Sequence, residues 1–136
     1  MIRGLKFVSI PVHNQDASLK FFTEKLGFKV ATDQPFNEKQ RWIELMIPGA
    51  DTGLVLFTPD GHESRVGDFQ PLSFWCDDVF ATAKIMKSKG VEFEADPKKE
   101  SGARPRSSKM WMATSSFFPA VSLHIPSRWT NDRRWE

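Results

Sequence analysis

One cysteine in 136 residues, Cys76, excludes an internal disulfide and a cysteine-built zinc cluster. Histidine is nearly as scarce. His13 follows a strand end in a polar loop, His62 sits in the turn "PDGHES", and His124 lies in an anomalous tail. All three read as surface residues rather than ligands. No apolar run approaches the ~20 residues that span a bilayer, and the opening "MIRGLKFVSIPV" turns polar too soon for a secretory signal. A cytoplasmic chain that does not engage a membrane is therefore expected. There is no Ser-His-Asp spacing, no phosphate loop and no dinucleotide fingerprint.

Charge of one sign is also lacking overall, at a net +2, but its distribution is uneven. Residues 1–97 hold 11 Lys/Arg against 14 Asp/Glu, and residues 98–136 hold 8 against 3. A basic tail can serve nucleic acid. Here the basic residues are scattered over no single face, so a nucleic-acid partner is not expected. Hydrophobic content of 40% and charged content of 26% suit one globular domain with a real core.

Alternation marks the elements. Leu5–Val12 places Val8, Ile10 and Val12 on one face and Phe7, Ser9 and Pro11 on the other, as a strand does. A helix follows, capped by Asn14 or Asp16, with Leu19, Phe22 and Leu26 on one side and Gly27 at its C-terminal end. "FKVATD" reads as a strand. "RWIELMIP" sets Ile43, Leu45 and Ile47 against Trp42, Glu44 and Met46, and "TGLVLFTP" is a further strand closed by a turn. The order is β-α-β-β-β.

The pattern then restarts. "PLSFWCDD" is a strand, the next helix is capped by Asp77 or Asp78 and stopped by Gly90, and "VEFEAD" is a strand. Leu72, Phe74 and Cys76 stand 64 residues after Val8, Ile10 and Val12, and Gly90 stands 63 after Gly27. Two similar βαβββ modules are expected, with one sheet face under each helix and the other faces curling around a cavity. Cys76 then falls on the core side as a small buried hydrophobe. The modules span 1–60 and 70–125, within a single domain covering 1–136 with a tail at 126–136.

This arrangement, with "FVSIPVHNQDASLKFFTEKLGFKV", "RWIELMIPG", "TGLVLFTP" and "LSFWCDDVFATAKIMKSKGVEF", resembles the vicinal oxygen chelate superfamily. That group comprises glyoxalase-like, bleomycin-resistance and extradiol dioxygenase proteins. The resemblance covers about residues 4–100 and implies an α+β fold. It also implies a homodimer and, in the enzymes, one divalent metal held by residues of four strands. The matching positions here carry Phe7, Glu44 and Pro71, of which only Glu44 is a donor. No metal and no other cofactor is expected.

The cavity face should hold Phe7, Ser9, Trp42, Glu44, Met46, Ser73 and Trp75, a largely aromatic lining suited to a small organic ligand. Glu44 has two readings. It is a lone catalytic acid or base, or an acceptor for a ligand; or it is a partly solvated carboxylate paired with a Lys or Arg. Trp42 and Trp75 likewise have a plainer reading, as fillers of a sheet or dimer interface. A metal-free binding protein is the expected function. The alternatives are a metal-dependent glyoxalase- or dioxygenase-like enzyme and an inactive product of an altered gene.

The altered gene is suggested by the tail. Met and Trp have single codons, so Lys109-Met110-Trp111-Met112-Ala113 must be encoded AAR-ATG-TGG-ATG-GCN. Read from each codon's third base, this gives Asp or Asn, then Val, Asp, Gly. The same frame of "GARPRSSKMWMATSSFF" permits "WGTAAIFKDVDGNQFFL", which is similar to the final hairpin of the family. A frameshift near Glu100–Ser101 is the expectation. The codon junction of Ser116 and Phe117, where the fourth metal position would fall, reads NTT, which never encodes a metal donor. Within the actual tail, Lys109–Thr114 and Ala120–Ile125 have strand-like patterns.

Overall fold

The computed structural model describes residues 1–67, 72–93, 96–97, 108–114 and 121–124. Strands β1 (Phe7–Ile10), β2 (Lys29–Pro35), β3 (Arg41–Met46) and β4 (Gly53–Leu56) form one mixed, curled and unclosed sheet in the order β1-β4-β3-β2. β1 lies parallel to β4, and the remaining pairs are antiparallel. The parallel pair requires a crossover, and helix α1 (Gln15–Lys20) lies within it. Its cap is Asn14, whose Oδ1 accepts from the Ala17 N–H at 2.9 Å. Asp16 sits in the first turn instead. The chain then widens into a π-helical turn over Phe21–Lys25, where Phe21 and Phe22 are both buried.

One face of the sheet presents Ile10, Ile43, Leu45, Leu54 and Leu56 to Phe21 and Phe22, and this is the main core. Alternation explains it: β1, β3 and β4 each turn every second residue toward the helical layer. Ser18 is fully buried in that layer, and its hydroxyl has no partner among the described residues. Such a group costs folding energy without return. Ser18→Ala should therefore leave the denaturation midpoint unchanged or raise stability by up to ~1 kcal/mol. A clear loss of stability would show that the hydroxyl is bonded.

The second unit begins with β5 (Leu72–Cys76) and α2 (Val79–Ser88), capped by Asp78 rather than Asp77 through Oδ1 contacts of 2.9 and 3.0 Å to the N–H groups of Phe80 and Ala81. Gly27 and Gly90 both adopt left-handed backbone, with φ of 76° and 77°, where each helical segment ends. The two glycines that the sequence repeat pairs thus share one backbone conformation. The units touch through Phe28 and Phe74, with ring centroids 5.7 Å apart, and through Lys25 Nζ, which donates to the Gly90 carbonyl at 3.0 Å. Cys76 is half-buried rather than fully buried.

One expectation needs correction. "VEFEAD" forms no strand among its described residues, 91–93 and 96. Val91 is instead drawn down into the core, its N–H bonded to the Met86 carbonyl at 3.0 Å. Phe93 packs beside it, under Lys87 Nζ. The described strands of the second unit form a sheet of their own. β6 (Ser108–Thr114) and β7 (Val121–His124) continue β5 as an antiparallel meander, β5-β6-β7. The tail thus supplies both strands that its alternation suggested. Residues 126–136 and the side chains of Ser73 and Trp75 lie outside what is described. Among the described residues no helix is long and apolar enough to cross a membrane.

Candidate functional site

The second face of the four-stranded sheet carries five of the seven expected site residues. Register fixes the arrangement: Phe7 stands opposite Gly53, Ser9 and Glu44 both stand opposite Val55, Thr32 opposite Glu44, and Lys29 opposite Met46. Phe7, Ser9, Trp42, Glu44 and Met46 therefore share one face, as the alternation predicts. Ser73 and Trp75 occupy alternate positions of β5, paired in the backbone with Trp111 and Lys109.

Aromatic rings dominate this face. Trp42 packs edge-on to Phe7 at 5.5 Å between centroids and lies 5.2 Å from Phe57. Phe36 is 4.7 Å from Phe57 and 6.2 Å from Trp42. Edge-to-face and tilted pairs at these distances are favourable geometries for aromatic quadrupoles. Val55 is fully buried beneath this layer, although it does not belong to the helix-side core. Phe36 and Met46 nevertheless remain 57% and 47% exposed. The face is thus an apolar floor with open edges.

Side-chain amides hold it in shape. The β3–β4 ladder ends at Ile43 and Leu56. Beyond that pair the strands diverge, and Gln15 bridges the gap: its Nε2 donates to the carbonyls of Arg41 (2.6 Å) and Leu56 (2.8 Å), and its Oε1 accepts from the Arg41 N–H at 2.8 Å. Gln40 does the same one step further, bonding the Thr58 carbonyl and N–H at 2.7 and 3.2 Å. Arg41 is itself clamped by Asp16 (2.7 Å) and Asp33 (2.8 Å), and these hydrogen bonds, that to Asp16 first, raise its pKa above the ordinary value. Trp42 and Phe57 are thereby carried on braced backbone.

Glu44 is the one acid on this face among the described residues. Its side chain is 17% exposed, and Lys6 Nζ approaches it at 3.5 Å from a side chain that is 76% exposed. The paired-carboxylate reading thus describes Glu44 as it stands. The Ser9 hydroxyl donates to the Phe57 carbonyl at 3.2 Å, so its proton is already engaged. Phe36, Phe57, Val55, Thr32 and Gln15 were not foreseen. The alternation of "GLVLF" was signal enough for Val55 and Phe57, whereas Phe36 lies in an irregular hairpin loop.

A divalent ion does not fit these residues. Phe7 offers carbon only and Glu44 a single carboxylate, while Pro71, whose side chain has no donor, lies outside the described residues. Among the described residues, no three His, Cys, Asp or Glu side chains gather in one place.

Residues 4–104 match the family model of the Glyoxalase/Bleomycin resistance protein/Dioxygenase superfamily. The chain belongs to this superfamily. It is 34% identical over 97 residues to the uncharacterised protein YetH of Bacillus subtilis, a match covering 71% of this chain and 81% of YetH. A glyoxalase/bleomycin resistance protein from Streptomyces sp. CB03234 superposes with a TM-score of 0.61 at 27% identity, covering 88% of this chain and 97% of that one. TnmS3, an antibiotic binding protein from the same strain, gives 0.59 at 27% identity over 90% and 93%. The superfamily likeness expected from the strand and helix-end motifs is thus established, and with it a fold suited to binding small molecules.

Proposed function

We propose that this chain is a metal-free, cytoplasmic small-molecule-binding protein of the bleomycin-resistance kind that works as a homodimer. The observation that carries this reading is the aromatic face built by Phe7, Trp42, Phe57 and Phe36, which holds one carboxylate, Glu44. Phe7, Trp42, Met46, Ser73 and Trp75 would contact the ligand, with Ser9 and Glu44 as the polar groups. The antibiotic-binding activity stated for TnmS3 supports a ligand of similar chemical kind. The single cysteine accords with a reducing compartment.

The dimer is supported by the same face. The second unit packs Leu72, Phe74 and Met86 against the helix-side core, while Phe36 and Met46 stay open. Covering them by a second copy would complete a cavity of the usual concave, apolar type.

Thermal-shift screening of flat aromatic compounds, combined with light scattering on the same sample, tests both parts. Stabilisation by some compounds and a mass of two chains are expected. A monomer that no compound stabilises would overturn the reading. The competing enzyme reading requires a divalent ion that the chain retains and needs.

A further inference from the structure

Glu44 is better suited to a ligand than to Lys6. Its carboxylate offers about four acceptor positions. Among the described residues, its charged neighbour is Lys6, a long-stemmed and largely solvated side chain at 3.5 Å. Thr32 and Val55 flank it on the neighbouring strands, and Trp42 and Met46 lie two residues either side on its own. Lys29, opposite Met46, is exposed at the rim. A carboxylate set in an apolar floor, two residues from an indole on the same strand face, favours a donor that is also cationic: the carboxylate takes the charge-assisted hydrogen bond, and the rings take the cation's face. We infer that the site prefers flat aromatic ligands bearing a protonated amine, ring against Trp42 and Phe7 and amine on Glu44, with Lys6 displaced to solvent. This rests on the small-molecule reading above and narrows it to one charge class.

Fluorescence titration of the full chain with 9-aminoacridine, a planar cation at neutral pH, and 9-anthracenecarboxylate, its anionic counterpart, decides it. The cation should bind more tightly, about tenfold more weakly to Glu44→Gln, and several-fold more tightly to Lys6→Ala. The anion should respond in the opposite sense. Thermal melts of both variants report on folding. Equal binding of the cation to wild type and Glu44→Gln would overturn the charge preference alone. Failure of both dyes to bind wild type would overturn the small-molecule reading with it.

A separate observation concerns the last quarter of the chain. In the first sheet β4 lies parallel beside β1, after a turn in which Gly49 adopts φ of 80°. Moved 64 residues along, Gly49 falls on residue 113 and β4 on residues 117–120. In the alternative frame the forced Gly is encoded across Met112 and Ala113. The junction of Phe117 and Phe118 reads YTT, which is Phe or Leu. The matched family region ends at 104. The strand actually beside β5 runs antiparallel to it, as no strand beside β1 does. We propose that the coding frame changed near codon 100 and replaced a final turn and strand equivalent to Gly49 and β4. Sequencing the gene beside close relatives should reveal an insertion or deletion there, and the frame-restored chain should melt higher and place its last strand parallel to β5. An uninterrupted frame shared with the relatives would overturn this.

Discussion

Replacing Phe22 by alanine should destabilise the folded chain by about 3–5 kcal/mol. The ring is fully buried, edge-on to Phe21 at 5.5 Å and stacked on Phe28 at 5.7 Å, and it belongs to the same core as Ile10, Ile43, Leu45, Leu54 and Leu56. Truncation would leave a void that four elements border and that none can fill without moving the sheet. Such a loss is a large share of the ~5–15 kcal/mol by which domains are typically stable. Chemical denaturation at fixed protein concentration reads it as a lower midpoint at unchanged slope. Because Phe28 also touches Phe74 of the second unit, the transition should remain single. A midpoint within the range of a surface substitution would mean that the helix-side core is not packed as described.

The largest effect on binding is expected from Trp42→Ala. This indole touches Phe7, Phe36 and Phe57 and forms the middle of the open face. Its removal takes away both the surface on which a ring would lie and the edge-to-face contacts that hold Phe7. Affinity for flat aromatic compounds should fall by at least about tenfold, whatever their charge. Glu44→Gln, in contrast, should separate cation from anion. Stability should fall less than for Phe22→Ala, since Trp42 is only half-buried. Unchanged affinity with an intact fold would move the ligand away from the first sheet.

The first sheet was largely legible because its residues obey simple periods. Ile43 and Leu45 alternate with Trp42, Glu44 and Met46, and Val8 and Ile10 with Phe7 and Ser9, so the faces of β1 and β3 are readable in the sequence alone. Helix ends were legible where glycine or a capping side chain was required, as at Asn14, Gly27, Asp78 and Gly90. Tertiary forces overrode local pattern at Val91 and Phe93. There burial against the first unit outweighs the strand propensity of "VEF". The braces were invisible for another reason. Gln15 and Gln40 act across 26, 41 and 18 residues of sequence, by bonding backbone that strand divergence leaves unpaired. Nothing in the local sequence announces such a partner. Phe36 became part of the site only through the hairpin loop, where Asn37 Oδ1 accepts from the N–H groups of Lys39 and Gln40.

Glu44 shows where a family likeness and residue chemistry part. The resemblance aligns it with a metal-ligand position of the superfamily's enzymes, yet the sequence carries Phe7 and Pro71 at two of the companion positions. The carboxylate faces Lys6 as a long ion pair in the free chain and would accept from a ligand's donor in the proposed complex.

Metal content after loading tests the account most directly. The chain would be incubated with excess Zn²⁺, Ni²⁺ or Mn²⁺, dialysed, and assayed for retained ion and for 9-aminoacridine affinity against chelator-treated protein. The account predicts far less than one ion per chain and the same affinity in both samples. One ion retained per chain, released in Glu44→Gln and required for binding, would contradict it.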